Sequence, residues 1–423
     1  MPMTVFVTDG NQRSALAIVR ALGRRGATVI VGDEQPISLA SASKHCARRV
    51  LYPSPYQNRD AFERFLLDFV AREQVDVLLP VTDVTTHSVC ALQDRLEAHT
   101  ALAVPPFDAF ELITHKGRLM EYAASRGVPV PRTHCVDGPE SLDLVIDRVE
   151  YPAVVKPVRS RLRTEDGWMP GKVHYAYSPR ELRTLYRDHE YLAAHQSMIQ
   201  QRIVGAGIGV FVLFDRGELV ADFAHRRLRE KPPGGGVSVL CESEPVAGPL
   251  RDHAIRMLGP LRWHGVAMLE YKQDLRTGEC FLIEVNGRFW GSLQLAVDAG
   301  VDFPALACEL ALGHRPQLVP PYKLGVRSRW LLGDLDHLLL RLFTTDHSSE
   351  PPALAPSKLR ALRDFIMCAS HGSRDGIDDD ADVGPFVHEL REYIGALVTS
   401  AAQRVGRRWA PAARVHPQPP ALT

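Results

Sequence analysis

The chain has 423 residues, enough for two or three domains at roughly 150 residues each. Lysine plus arginine and aspartate plus glutamate both total 50, and 45% of residues are hydrophobic, a soluble globular balance that argues against a protein built mainly to hold a polyanion such as DNA. No run approaches the roughly 20 apolar residues of a membrane span, and the first ten residues lack the basic and apolar regions of a signal peptide, so a cytoplasmic chain without a membrane partner is expected. Seven cysteines, scattered and without a CxxC pair, read as reduced thiols rather than a disulfide frame or a zinc site.

Strand and helix signals alternate at the start. TVFVT (4–8) is a β-branched run, SALAIVRALGRRG (14–26) has helical periodicity ending in glycine, and TVIVGD (28–33) is a second strand, together a βαβ unit of an open parallel α/β sheet. The loop between the first strand and helix, Asp9 to Ser14, has one glycine where a dinucleotide fingerprint needs three. It reads as a strand-to-helix turn, with a small-substrate contact as the functional alternative. VDVLLPVTD (75–83) repeats the strand pattern and ends in Thr82 and Asp83, at the strand end where open sheets hold ligands.

The texture changes near residue 110. HKGRLMEYAASRGVPVPRT (115–133) reads as an amphipathic helix stopped by Gly127 and followed by an extended Pro129/Pro131 linker. YPAVVKPV (151–158) is a buried strand with a lone lysine, followed by a polar loop over 159–171. Strands over 172–178 and 197–205 flank a helix over 178–189, and 209–215 with 217–225 form a hairpin turning at Arg216-Gly217. Antiparallel strands make this an α+β region. Beyond about 316 the periodicity is helical, at 328–343 and 387–405, around a Pro-rich connector (348–357) and an acidic loop (374–384) that reads as solvated; the last dozen residues read as frayed.

The most informative stretch is GVAMLEYKQDLRTGECFLIEVNGRFWGS (265–292), two apolar runs around the turn Leu275–Gly278. Pairing symmetric about Thr277 sets Glu270 across from Glu284 and Met268 across from Asn286. Glu270, Glu284 and Asn286 then share one face, with Arg288 just beyond the strand end. Two carboxylates about 5 Å apart repel by about 3 kcal/mol at an effective dielectric near 20, a penalty that a bridging divalent cation reverses. Oxygen ligands favour Mg²⁺, with Mn²⁺ as the alternative, over zinc.

A Glu on one strand, Glu-x-Asn-x-Arg on the next, and two isolated lysines upstream resemble the ATP-grasp superfamily of carboxylate ligases, over roughly residues 1–312. The resemblance implies a pre-ATP-grasp α/β domain (1–110), an ATP-grasp domain (111–312) of two α+β subdomains (111–200 and 201–312), and a mainly helical C-terminal region (313–423). It implies ATP between the subdomains, with Lys116 and Lys156 on its phosphates and Mg²⁺ on Glu270, Glu284 and Asn286. It places the adenine against Gln201 and Ile203, with the Gln200 side chain nearby. Relatives carry Glu where this chain has Gln200 and Gly207, which puts the ribose contacts in question. Gly167 and Gly171 would let the 159–171 loop close over the phosphates. In HRRLREKPPGGGVSV (225–239), Arg226 and Arg229, with Arg288, are read as stabilising a bound carboxylate and its acyl phosphate, while Gly234 to Gly236 let backbone approach the substrate.

The implied reaction is ATP-dependent activation of a small-molecule carboxylate and its coupling to an amine, releasing ADP and phosphate. His225 and His264 are candidate bases, each with a structural role as the simpler reading. The alternatives are a carboxylase-type enzyme phosphorylating bicarbonate or carbamate, and a nucleotide-binding subunit without turnover. Trp330, Asp334 and Asp336 either cover the acceptor site or pack the C-terminal helices, which could also form a homodimer face.

Overall fold

The β-branched runs at the start of the chain become strands because such side chains pack well on a pleated surface. Cys46–Leu51, Thr28–Asp33, Thr4–Val7 and Val77–Leu79 lie side by side in that order as a parallel sheet, connected by the helices Arg13–Arg24 and Arg59–Glu73. The computed structural model describes residues 3–159, 161–164, 167–314, 321–344, 355–370, 374–377 and 379–409. The reading of the last dozen residues, and of the connector up to residue 354, lies outside them.

A second, antiparallel sheet runs Thr133–Val136, Ser197–Gln201, Ala153–Pro157, His174–Ala176. Ala153, Val155 and Ile199 face its apolar core with Leu182. Strand alternation therefore turns Val154 and Lys156 to the opposite face. The polar 159–171 stretch contains a two-stranded ribbon, Arg161–Thr164 with Gly167–Pro170, rather than irregular loop alone; residues 160, 165 and 166 lie outside the described residues.

In the largest sheet Cys280–Asn286, Gly265–Asp274, Gly205–Asp215, Glu218–Lys231 and Val237–Glu244 lie in that order, each antiparallel to the next. Apolar clusters on both its faces include residues of the first domain: Trp263 and Leu269 share one with Phe110, and Phe211 and Trp290 share the other with Leu16. Burying a large side chain such as Trp290, 1% exposed, contributes about 2–3 kcal/mol. These shared cores bring the helix Arg13–Arg24 and its N-terminal turn against the central sheet.

The C-terminal region is mainly helical but adds two strands. Arg327–Arg329, two residues of which are expected to start the helix over 328–343, and Arg374–Asp375, in the acidic loop, extend the central sheet, and the helix begins at Leu331. Nor is the acidic loop solvated throughout. Asp382, 3% exposed, ion-pairs with buried Arg20 at 2.8 Å and accepts from Ser43 and the Lys44 amide. A buried carboxylate persists only when paired in this way. All seven cysteines are free, four of them buried and Cys135 exposed. Among the described residues no helix is long and apolar enough to cross a membrane.

Candidate active site

Glu270 pairs across from Glu284 and Met268 across from Asn286, the register that symmetry about Thr277 predicts. The route to it differs. Near the turn Tyr271 pairs with Leu282, and a bulge between Glu270 and Tyr271 restores the count at the acidic end. Asn286 Nδ2 donates to Glu270 Oε1 (3.0 Å) and Glu284 Oε1 (3.1 Å), and its Oδ1 accepts from Arg288 at 2.9 Å. Arg288 also lies 3.2 Å from Asp83, at the start of a helix in the first domain.

Four cationic or donor groups converge on the two acids. Lys116 opens the helix Lys116–Ser125 and places Nζ 3.2 Å from Glu284 Oε2. Arg227 donates to Glu270 Oε2 at 2.5 Å and to Glu230 Oε1 at 3.1 Å. Asn286 and Arg288 complete the set. Lys116, followed by Lys156, holds the Glu284 carboxyl below its usual range against the effect of burial. Burial raises Glu270 despite Arg227, and Glu284 adds to the rise. Burial opposes the charge on Arg227, but Glu270 and Glu230 more than offset it. Lys156 is pushed down to about 8, by burial first and then by Lys116, against the pull of Glu284 and Glu270.

Arg227 reaches Glu270 across a stripped strand. Gly205, Gly207 and Gly209 occupy one face of the strand between them, and Gly209 pairs with both His225 and Glu270. A Cβ on Gly207 would sit 2.9 Å from Arg227 Cδ, and one on Gly209 would sit 2.9 Å from His225 Nε2. The glycines leave the trough that these two side chains fill.

A cavity of about 670 Å³ lies between the two antiparallel sheets, a size suited to a nucleotide-sized ligand. Lys116, Lys156, Glu270, Glu284 and Arg288 are on its wall, as are Gln200, Gln201, Ile203 and Gly171. The Gln200 amide is held by Thr133 Oγ1 at 3.0 Å, and the Gln201 N–H is committed to the Arg132 carbonyl at 2.8 Å. The loop Gly234 to Gly236 closes one side, each residue at positive φ.

A family model described as ATP-grasp in the biosynthetic pathway with Ter operon matches residues 194–333. The fold is similar to that of an L-amino acid ligase from Bacillus licheniformis, at 18% identity and a TM-score of 0.57, covering 73% of this chain and 74% of that one. It is also similar to N5-carboxyaminoimidazole ribonucleotide synthetase from Thermus thermophilus (19%, TM-score 0.57, 77% and 81% covered). A third likeness is to the biotin carboxylase domain of 2-oxoglutarate carboxylase from Hydrogenobacter thermophilus, solved with MgADP and bicarbonate (14%, TM-score 0.61, 77% and 73% covered). These likenesses show the fold, and the match to the ATP-grasp family model is confined to residues 194–333.

Two of the expected site residues lie elsewhere. Arg226 is on the opposite face of its strand, half exposed and ion-paired with Glu244 at 3.0 Å, because alternation gives the cavity face to His225 and Arg227. Arg229 follows a register shift and turns into a second cavity of about 580 Å³, where it bonds Asp334 at 2.6 Å. Arg227 is the residue that sequence reasoning missed, and the signal was Gly-x-Gly-x-Gly over 205–209, an emptied strand face that invites a long side chain. Gly167 begins the second strand of the 161–170 ribbon. His225 is fully buried and pressed over Gly209, its pKa driven well down by burial and then by Arg227; His264 sits 3.4 Å from Asp215.

The residues fit a magnesium ion. Among the described residues no three His, Cys, Asp or Glu side chains are grouped to hold a metal. The Glu270–Glu284–Asn286 set thus offers oxygen ligands but an incomplete shell, as expected of an ion that shares its coordination with substrate phosphates.

Proposed function

We propose that the protein is an ATP-dependent ligase that activates a carboxylate and joins it to an amine, releasing ADP and phosphate. The observation that carries this reading is the acid pair Glu270/Glu284, bonded by one Asn286 amide and met by Lys116, in a cavity that also holds Lys156. Bound MgATP supplies the phosphoryl group that turns the carboxylate into an acyl phosphate, a good electrophile. Glu270, Glu284 and Asn286 would hold the ion. Lys116 and Lys156 act as point charges toward phosphate oxygens, and the low Lys156 pKa comes from burial and then from Lys116. Gln201 and Ile203 are assigned to the adenine edge.

Arg288 is fixed by Asp83, Asn286 and the Phe289 carbonyl, so its charge beside the acids is already oriented for the carboxylate. Arg227 takes the role first given to Arg226 and Arg229, as the buried guanidinium nearest Glu270. Little covalent chemistry is asked of side chains; the work is positioning and charge neutralisation.

The test is a screen of carboxylate and amine pools scored by ADP formation. Turnover should require both substrates, and Glu284→Gln should lower it by about 10²–10³-fold. A Glu284→Gln protein as active as the parent would remove the assignment. Dependence on bicarbonate in place of an organic carboxylate would move the enzyme to the carboxylase class.

A further inference from the structure

Most cations on the wall of the central cavity are already paired. Lys116, Arg159, Arg227, Lys272 and Arg288 each meet a carboxylate, and Arg202 bonds Tyr177. Among the described residues lining the cavity, Lys156 and Arg13 have neither an ion pair nor a side-chain hydrogen bond. Lys156 is accounted for by the phosphates; Arg13 is not.

Arg13 is in the first turn of the helix Arg13–Arg24, where the backbone dipole favours an acid rather than a base. It projects from the first domain into the end of the cavity and into an adjoining recess, and both are lined by Arg13, Ser238, Gly291 and Ser292. Its guanidinium stacks on the Trp330 ring at 4.2 Å, which gives it a wall but no counter-ion. Trp330 is itself held by Glu389, which accepts from its indole Nε1 at 2.6 Å. Glu389 and Asp375 support its charge from beyond ion-pair distance, Glu389 while bonded to Trp330 and Asp375 while bonded to the amides of Leu331 and Ile377. Gly291 makes the space, since a Cβ there would lie 3.0 Å from the Arg13 guanidinium. A partly buried cation with no acid at contact distance is a ready partner for a ligand anion.

We propose that Arg13, backed by Trp330 and flanked by Ser238 and Ser292, binds a second anionic group of the substrate, a carboxylate or a phosphate monoester distinct from the carboxyl that reacts. The inference rests on the ligase reading, in which the reacting carboxyl lies toward Arg288. The substrate class is thus a dianion, with one end activated and the other anchored. The C-terminal region contributes by holding Trp330 in place.

Binding to the full chain is measured by calorimetry for dicarboxylates with one to four methylenes between their carboxyls, and for 3-phosphoglycerate, against butyrate and glycerate. At least one dianion should bind tenfold or more tightly than its monoanionic counterpart. Arg13→Met should abolish that preference while leaving monoanion and MgADP binding unchanged. Gly291→Ala, which keeps the charge but crowds the guanidinium, should weaken the dianion alone. Preference for dicarboxylate over 3-phosphoglycerate, or the reverse, identifies which anion the subsite takes. Equal binding of dianions and monoanions, or an Arg13→Met protein that loses MgADP, would overturn the proposal. Failure of MgADP to bind the parent chain would instead sink the ligase reading, and leave the anion preference to be judged on its own.

Discussion

The acidic hairpin and the basic strand Glu218–Lys231 belong to one sheet, separated by a single strand, yet they handle charge in opposite ways. The hairpin gathers its acids on one face, where Asn286 bonds both and Lys116 meets Glu284. The basic strand distributes its arginines: Arg226 goes to the far face with Glu244, Arg227 to the acids, and Arg229 to Asp334 in the second cavity. Like charges are collected on the cavity wall in the hairpin and dispersed in the basic strand, where each finds its own acid. Adjacent arginines in sequence therefore carry three different jobs, and substitutions can separate them.

The largest expected effect is on stability, at the dispersed end. Asp334, 0% exposed, serves both Arg229 (2.6 Å) and Arg329 (2.7 Å). Asp334→Ala would leave two buried cations without their acid and is predicted to cost about 3–5 kcal/mol in denaturant unfolding. A loss under about 1 kcal/mol would break the contrast. Next comes Arg227→Met, predicted to lower ADP formation by about 10²-fold by leaving Glu270 uncompensated at the reacting end; steady-state turnover checks it.

A smaller effect follows from Lys156. On the proposed reading its protonated form is the one that binds phosphate, so MgADP affinity should hold well below pH 8 and fall about tenfold by pH 9 as the ammonium is lost. Lys156→Arg, charged throughout, should flatten the profile in a titration series. The same depressed pKa destabilises the ligand-free fold at neutral pH, and that penalty fades as the pH rises from 8 toward the unfolded lysine range. Smallest of all, Arg226→Met removes only a half-exposed pair with Glu244. It should change stability by no more than about 0.5 kcal/mol and leave turnover as it was, which sharpens its difference from Arg227.

Some of this was legible before any coordinates. Lys156 stands alone in an apolar run, and its strand alternates so plainly that Val155 inside and Lys156 toward a ligand is the simplest arrangement. The acids were found by pairing across a short turn, although a bulge near Tyr271 means the symmetry was only locally correct. The basic strand misled for the same kind of reason: register shifts on either side of Arg229 break the period of two, and nothing in the local sequence announces them. Helix periodicity also carried 328–343 one turn too far, because Arg327–Arg329 takes its structure from the strand Val237–Glu244 beside it.

The sequence by itself determined the strand-forming runs, the facing carboxylates and the lone lysines, since these depend on periodicity and on pairings only a few residues from a turn. Only the tertiary structure decided that Arg227 rather than Arg226 meets Glu270, that Arg20 reaches Asp382, and that Arg13 lies against Trp330. Those contacts join residues far apart in the chain, and they exist because shared apolar cores press the first domain, the central sheet and the C-terminal helices together, an outcome that no local pattern encodes.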